Sequence, residues 1–72
     1  MIENFPQLRI ELVNHVRALT GRRVLNLDVE LSPERVVLHG QVASFHVKQL
    51  AQQGIREVLP EVWLENAITV SL

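Results

Sequence analysis

A chain of 72 residues with a formal net charge of −1 and no cysteine is long enough for one small domain and no more. The missing thiols exclude disulfides and thiolate catalysis. The near-balance of seven basic and eight acidic residues argues against a general nucleic-acid binder, and a core of this size is marginal enough that self-association is an ordinary source of further stability.

The opening residues, Met1-Ile2-Glu3-Asn4-Phe5-Pro6, have neither the basic n-region nor the apolar h-region of a signal peptide. No apolar run approaches the ~20 residues that span a bilayer. With Met1 as the natural start the expected location is cytoplasmic; for a chain trimmed of a leader it is the periplasm or cell envelope.

Pro6 suits the first turn of a helix, where its missing N–H costs nothing. Phe5, Leu8, Leu12, Val16 and Leu19 then fall on one stripe at helical spacing, and Gly21 is a good residue just past the end. This predicts a first helix over 6–20. Ile10 and Val13 sit off the stripe, either as tolerated surface apolars or as a small contact patch.

Arg22 and Arg23 lead into 24–31, which alternates cleanly. Leu25, Leu27, Val29 and Leu31 are expected inward, and Asn26, Asp28 and Glu30 outward. Ser32-Pro33-Glu34-Arg35 supplies a turn. In the next strand Val36, Leu38, Gly40 and Val42 share one face. If Ser32 pairs with Arg35, then Leu31 opposes Val36, Val29 opposes Leu38 and Leu27 opposes Gly40, whereas a one-residue slip would mix the two faces. That register sets Asp28 beside His39 on the outer face, where the two are expected to pair and hold the hairpin. Gly40 weakens its strand, which is explicable if another backbone passes close by, most simply a helix lying on that face.

Ser44 offers an N-cap hydroxyl, and the second helix is predicted to run to 59, stopping before Pro60. Val47, Leu50, Ala51, Gly54, Ile55 and Val58 form its apolar stripe. Gly54 costs about 1 kcal/mol of helix propensity relative to alanine, which suggests close approach to the sheet or to the first helix. A last strand is expected over 61–72, with Val62, Leu64, Ile68, Val70 and Leu72 on one face, interrupted by Asn66.

The order is α-β-β-α-β. Each strand has one apolar face, so an α+β fold follows, with both helices packed on one face of a three-stranded mixed sheet. The parallel crossover favours spatial order 1-2-3; order 2-1-3 is the alternative.

With these pieces in place the chain resembles the BON family, named for bacterial osmotically inducible and nodulation proteins. The resemblance covers residues 7–71 of a single domain, 1–72. It rests on Val36-Val37-Leu38-His39-Gly40-Gln41-Val42 followed by Ser44, on Val47-Lys48-Gln49-Leu50-Ala51, and on Val58-Leu59-Pro60-Glu61-Val62 followed by Glu65-Asn66-Ala67-Ile68-Thr69-Val70. Glu61 departs from the pattern, standing where a glycine is usual. The resemblance implies a non-catalytic, membrane-associated binding module that contacts phospholipid or a membrane surface.

The chemistry-bearing residues fit that expectation. His15, His39 and His46 lack a metal-ligand spacing, so neither a metal nor another cofactor is expected. Among the hydroxyls, Ser32 reads as turn and Ser44 as cap, without a nucleophile motif, so no enzyme activity is expected. The open sheet face lacks the stacking aromatics of an RNA platform, and no nucleic-acid partner is expected. Arg17, Arg22 and Arg23 cluster around the end of the first helix. There they either complement the helix dipole or contact anionic lipid. Trp63 is either an interfacial anchor or the cap of a core edge. The alternative to lipid contact is protein–protein interaction or homo-oligomer assembly through Ile10, Val13 or a strand edge.

Overall fold

The computed structural model describes residues 5–71. Its elements are α1 (Phe5–Thr20), β1 (Leu25–Leu31), β2 (Arg35–Val42), α2 (Phe45–Val58), β3 (Trp63–Asn66) and β4 (Thr69–Val70). The sheet runs β1-β2-β3, with β4 also paired to β2. β1 is antiparallel to β2, while β3 and β4 are parallel to it. The α+β fold is therefore the expected one, in the 1-2-3 order.

One core holds the layers together. α1 supplies Leu12 and Val16, α2 supplies Val47, Ala51 and Ile55, and the sheet supplies Val29, Val36, Leu38, Val42 and Ile68. Both helices thus cover the same sheet face. Ser44 caps α2 as expected, its hydroxyl accepting from the Val47 amide at 3.2 Å. Gly54 meets α1: a β-carbon there would lie 3.1 Å from Val16 Cγ2 and 3.2 Å from Val16 Cα. Ile10 is exposed, but Val13 packs half-buried against the core, so the pair does not form one surface patch.

The hairpin register is the one the alternation requires: Leu31 opposes Val36, Val29 opposes Leu38 and Asp28 opposes His39. It breaks at the start of β1. Leu25 pairs with Gln41, so Asn26 and Leu27 together oppose Gly40 in a β-bulge. Asn26 takes a left-handed conformation, φ 56°, which asparagine tolerates better than most residues. The extra residue flips the phase. Val24 turns to the core, and Leu25, expected inward, is 61% exposed. The bulge also corrects the reading of Gly40. What crowds it is β1, not a helix: a β-carbon would meet Val24 Cγ1 at 2.6 Å and Leu25 O at 3.2 Å.

The expected single last strand is two short ones. Its offset from β2 is constant, Leu38 opposite Asn66 and Gln41 opposite Thr69, but the ladder is interrupted at Ala67 and Ile68, where the Ala67 amide still donates to Leu38 O. Asn66 stands at this interruption. Its amide nitrogen donates to Lys48 O (3.1 Å) and to Gln52 Oε1 (3.2 Å), and its Oδ1 accepts from the Ile68 amide (3.2 Å). The polar interruption in the apolar face is thus a tie between sheet and α2. Leu72, expected on that face, lies outside the described residues.

Candidate binding surfaces

Three surfaces remain after the core is assigned: the open sheet face, the end where β2 passes into α2, and the opposite end of the sheet.

On the open face the ladder sets Glu30, Val37 and Glu65 in one row. Arg35 pairs with Glu65 at 3.4 Å, and His39 Nε2 lies 3.1 Å from Glu30 Oε1. These side chains flank Val37 and leave it only 6% exposed, although no helix covers it; long charged side chains cover apolar surface with their stems. Asp28 and His39 are cross-strand neighbours but do not pair. Asp28 turns over the sheet edge to Arg9 of α1, and His39 takes Glu30. The Arg9 hydrogen bond holds the Asp28 carboxyl below its ordinary value against the opposing effect of partial burial, with the Val29 amide and the Arg9 and His39 charges assisting. Between the helices, His15 Nε2 lies 2.7 Å from Glu57 Oε1. Hydrogen bonds from Gln53 and His15 lower the Glu57 carboxyl.

Among the described residues no three His, Cys, Asp or Glu side chains converge to hold a metal.

The β2–α2 end is different in character. It is built by segments 17–27, 40–53 and 67–71, which contain Arg17, Arg22, Arg23 and Lys48 and no acidic residue. The acidic residues among those described lie elsewhere, on α1, the hairpin, the α2 C-terminus, the turn after it and β3. Arg23 closes the α1 C-terminus, its Nε donating to Thr20 O at 2.7 Å, as the helix dipole favours. Arg17 and Arg22 have no hydrogen bond or ion pair among the described residues. An open groove of about 570 Å³ lies at this end, lined by Arg23, Leu25, Val42, Ser44, Val47 and Ser71 among others. Leu25 at 61% exposure and Phe45 at 65% supply large apolar side chains at this end. Lys48 Nζ sits 5.8 Å from the centre of the Phe45 ring, within cation–π range. The α2 N-terminus adds the positive end of its dipole.

The four residues expected to contact lipid are therefore not one site. Arg17, Arg22 and Arg23 belong to the basic end, whereas Trp63 opposes Arg35 at the far end of β2. Arg35 and Gln41 are six residue steps apart along the strand, about 20 Å at the usual rise. Trp63 is 72% exposed, so it does not cap the core. The residues the sequence reading missed are Leu25, hidden by an unrecognised bulge, and Phe45. Phe45 was findable, since its spacing to Lys48, Gln49 and Gln52 places it on the wet face of α2.

Among the described residues no helix is long and apolar enough to cross a membrane. Comparison with known proteins found no matching family model, no matching curated protein and no matching solved structure.

Proposed function

We propose that the chain is a non-catalytic binding module, similar to BON domains, that docks its basic end on an anionic phospholipid surface. The observation that carries this reading is the meeting of Arg17, Arg22, Arg23 and Lys48 with exposed Leu25 and Phe45 at one acid-free end. Cations near an anionic bilayer contribute about 1 kcal/mol each, so four give about 4 kcal/mol, a dissociation constant near ~1 mM. Insertion of Leu25 and Phe45 strengthens that by the burial of their apolar surface.

Co-sedimentation with phosphatidylglycerol vesicles tests the reading. Binding is expected at low salt, weaker at physiological salt because exposed charges are then screened beyond about 8 Å, and absent from phosphatidylcholine vesicles. Arg22→Ala/Arg23→Ala and Phe45→Ser should each weaken it. A protein that ignores anionic vesicles at low salt does not dock in this way.

A further inference from the structure

The sheet has two edges, and they are not equally closed. At the β1 edge Asp28 is drawn across to Arg9 of α1. The bulge at Asn26 and Leu27 twists the rest of that edge away. Such features are how natural sheets refuse further strands.

Among the described residues the β3 edge lacks that cover. The Ala67 amide donates to Leu38 O and the Ser71 amide to Val42 O, both at 2.8 Å. Odd-numbered residues of this strand therefore turn their backbone toward β2, and by alternation Leu64 and Asn66 turn theirs outward. The opening is short. On one side Arg56 Nη1 occupies Val62 O at 2.5 Å; on the other, Asn66 Oδ1 holds the Ile68 amide. Leu64 lies at its centre, and the exposed Trp63 stands beside it.

We propose that a second copy of this chain occupies this edge, pairing β3 with β3 antiparallel about a two-fold axis through Leu64. Facing residues must share a sheet face, which leaves two central registers: Leu64 opposite Leu64, or Glu65 opposite Glu65. The second sets like charges directly across from each other and is disfavoured. The first puts Trp63 opposite the second copy's Glu65, which carries its own Arg35 partner, and brings the two half-buried Leu64 side chains together on the helix side. Because the β1 edge is shut, head-to-tail growth is blocked and the assembly closes as a dimer. This goes beyond the surface-docking reading and does not depend on it.

Sedimentation equilibrium should show the mass rising with concentration from 8.2 kDa toward twice that value. Leu64→Pro removes an outward amide without removing a bond to β2, so the folded variant should stay monomeric. Leu64→Cys, the only thiol in an otherwise cysteine-free chain, should form an intermolecular disulfide faster than Glu34→Cys in the hairpin turn. Directly opposed residues in such a pair have Cα atoms about 5.5 Å apart, within disulfide range. A wild-type chain that remains at 8.2 kDa, a folded Leu64→Pro variant that still dimerises, or a Leu64→Cys disulfide no faster than the control would each overturn the proposal.

Discussion

Gly40 lies against Val24: a β-carbon at Gly40 would sit 2.6 Å from Val24 Cγ1, with Leu25 O only 3.2 Å away. The contact exists because the Asn26 bulge folds the start of β1 over the middle of β2. Gly40→Ala must therefore push on the bulged backbone, and a loss of about 1–3 kcal/mol is expected in urea unfolding. An unchanged midpoint would show that the bulge yields freely.

Gly54→Ala sets two effects against each other. Alanine gains about 1 kcal/mol of helix propensity. The new methyl, however, meets not only a Val16 methyl at 3.1 Å but Val16 Cα at 3.2 Å, and the backbone of α1 moves only if the helix moves. Net destabilisation is expected, and a rise in melting temperature would contradict it.

Leu38→Ala removes a fully buried side chain from the centre of the core and should cost roughly 2–5 kcal/mol. Val37→Ala, on the opposite face of the same strand, should cost less. Its cover is made of charged side chains that can follow the shrinking residue. Equal losses in denaturant unfolding would mean that the open face is packed as rigidly as the core.

The Arg9–Asp28 pair gives a signed pH dependence. The folded pKa of Asp28 lies below its ordinary value of 3.8, so the stabilisation is fully present above that value and is lost as pH falls through the lower, folded one. Both side chains are about half exposed, so the effect is no more than ~1 kcal/mol. The stability gap between the parent chain and Arg9→Ala should close below about pH 3.8. A gap that widens on acidification would have the wrong sign.

Trp63 separates the two proposed contacts. Docking of the basic end on vesicles should leave its emission unshifted, because it stands at the other end of the sheet. Dimerisation through β3 should shift it. A blue shift on vesicle binding by a chain held monomeric would place lipid contact at the wrong end.

The parts of the fold legible in the sequence were those set by a single local rule. The alternation of Val29, Leu31, Val36 and Leu38 set the hairpin register, Ser44 set the start of α2, and the lone Gly54 in an apolar stripe marked a close approach, though not whether to the sheet or to α1. The parts that were not legible depended on two segments at once. Leu25 continues a clean alternation, and only the pairing of Asn26 and Leu27 against Gly40 reveals the change of phase. Asn66 reads as a flaw in a strand until Lys48 O and Gln52 are brought beside it. Asp28 found Arg9 rather than His39 because α1 runs along the β1 edge, a relation no local pattern encodes. The basic cluster could be read from Arg17, Arg22 and Arg23; its apolar members could not all be, since one of them depends on the bulge.

The bulge at Asn26 and Leu27, Gly40, and the interruption at Ala67 and Ile68 stand side by side in one row across the sheet. That row divides it into a longer block and a shorter one, made of Leu25, Gln41, Val42 and β4. The shorter block has few ladder bonds to hold it, so its amides should exchange with solvent through local openings well below the free energy of global unfolding. Protection should drop from Leu38 to Val42 along one continuous strand. That shorter block also carries Leu25 and adjoins Arg23, so the end proposed to meet a surface would be the one able to conform to it while the rest of the sheet stays closed.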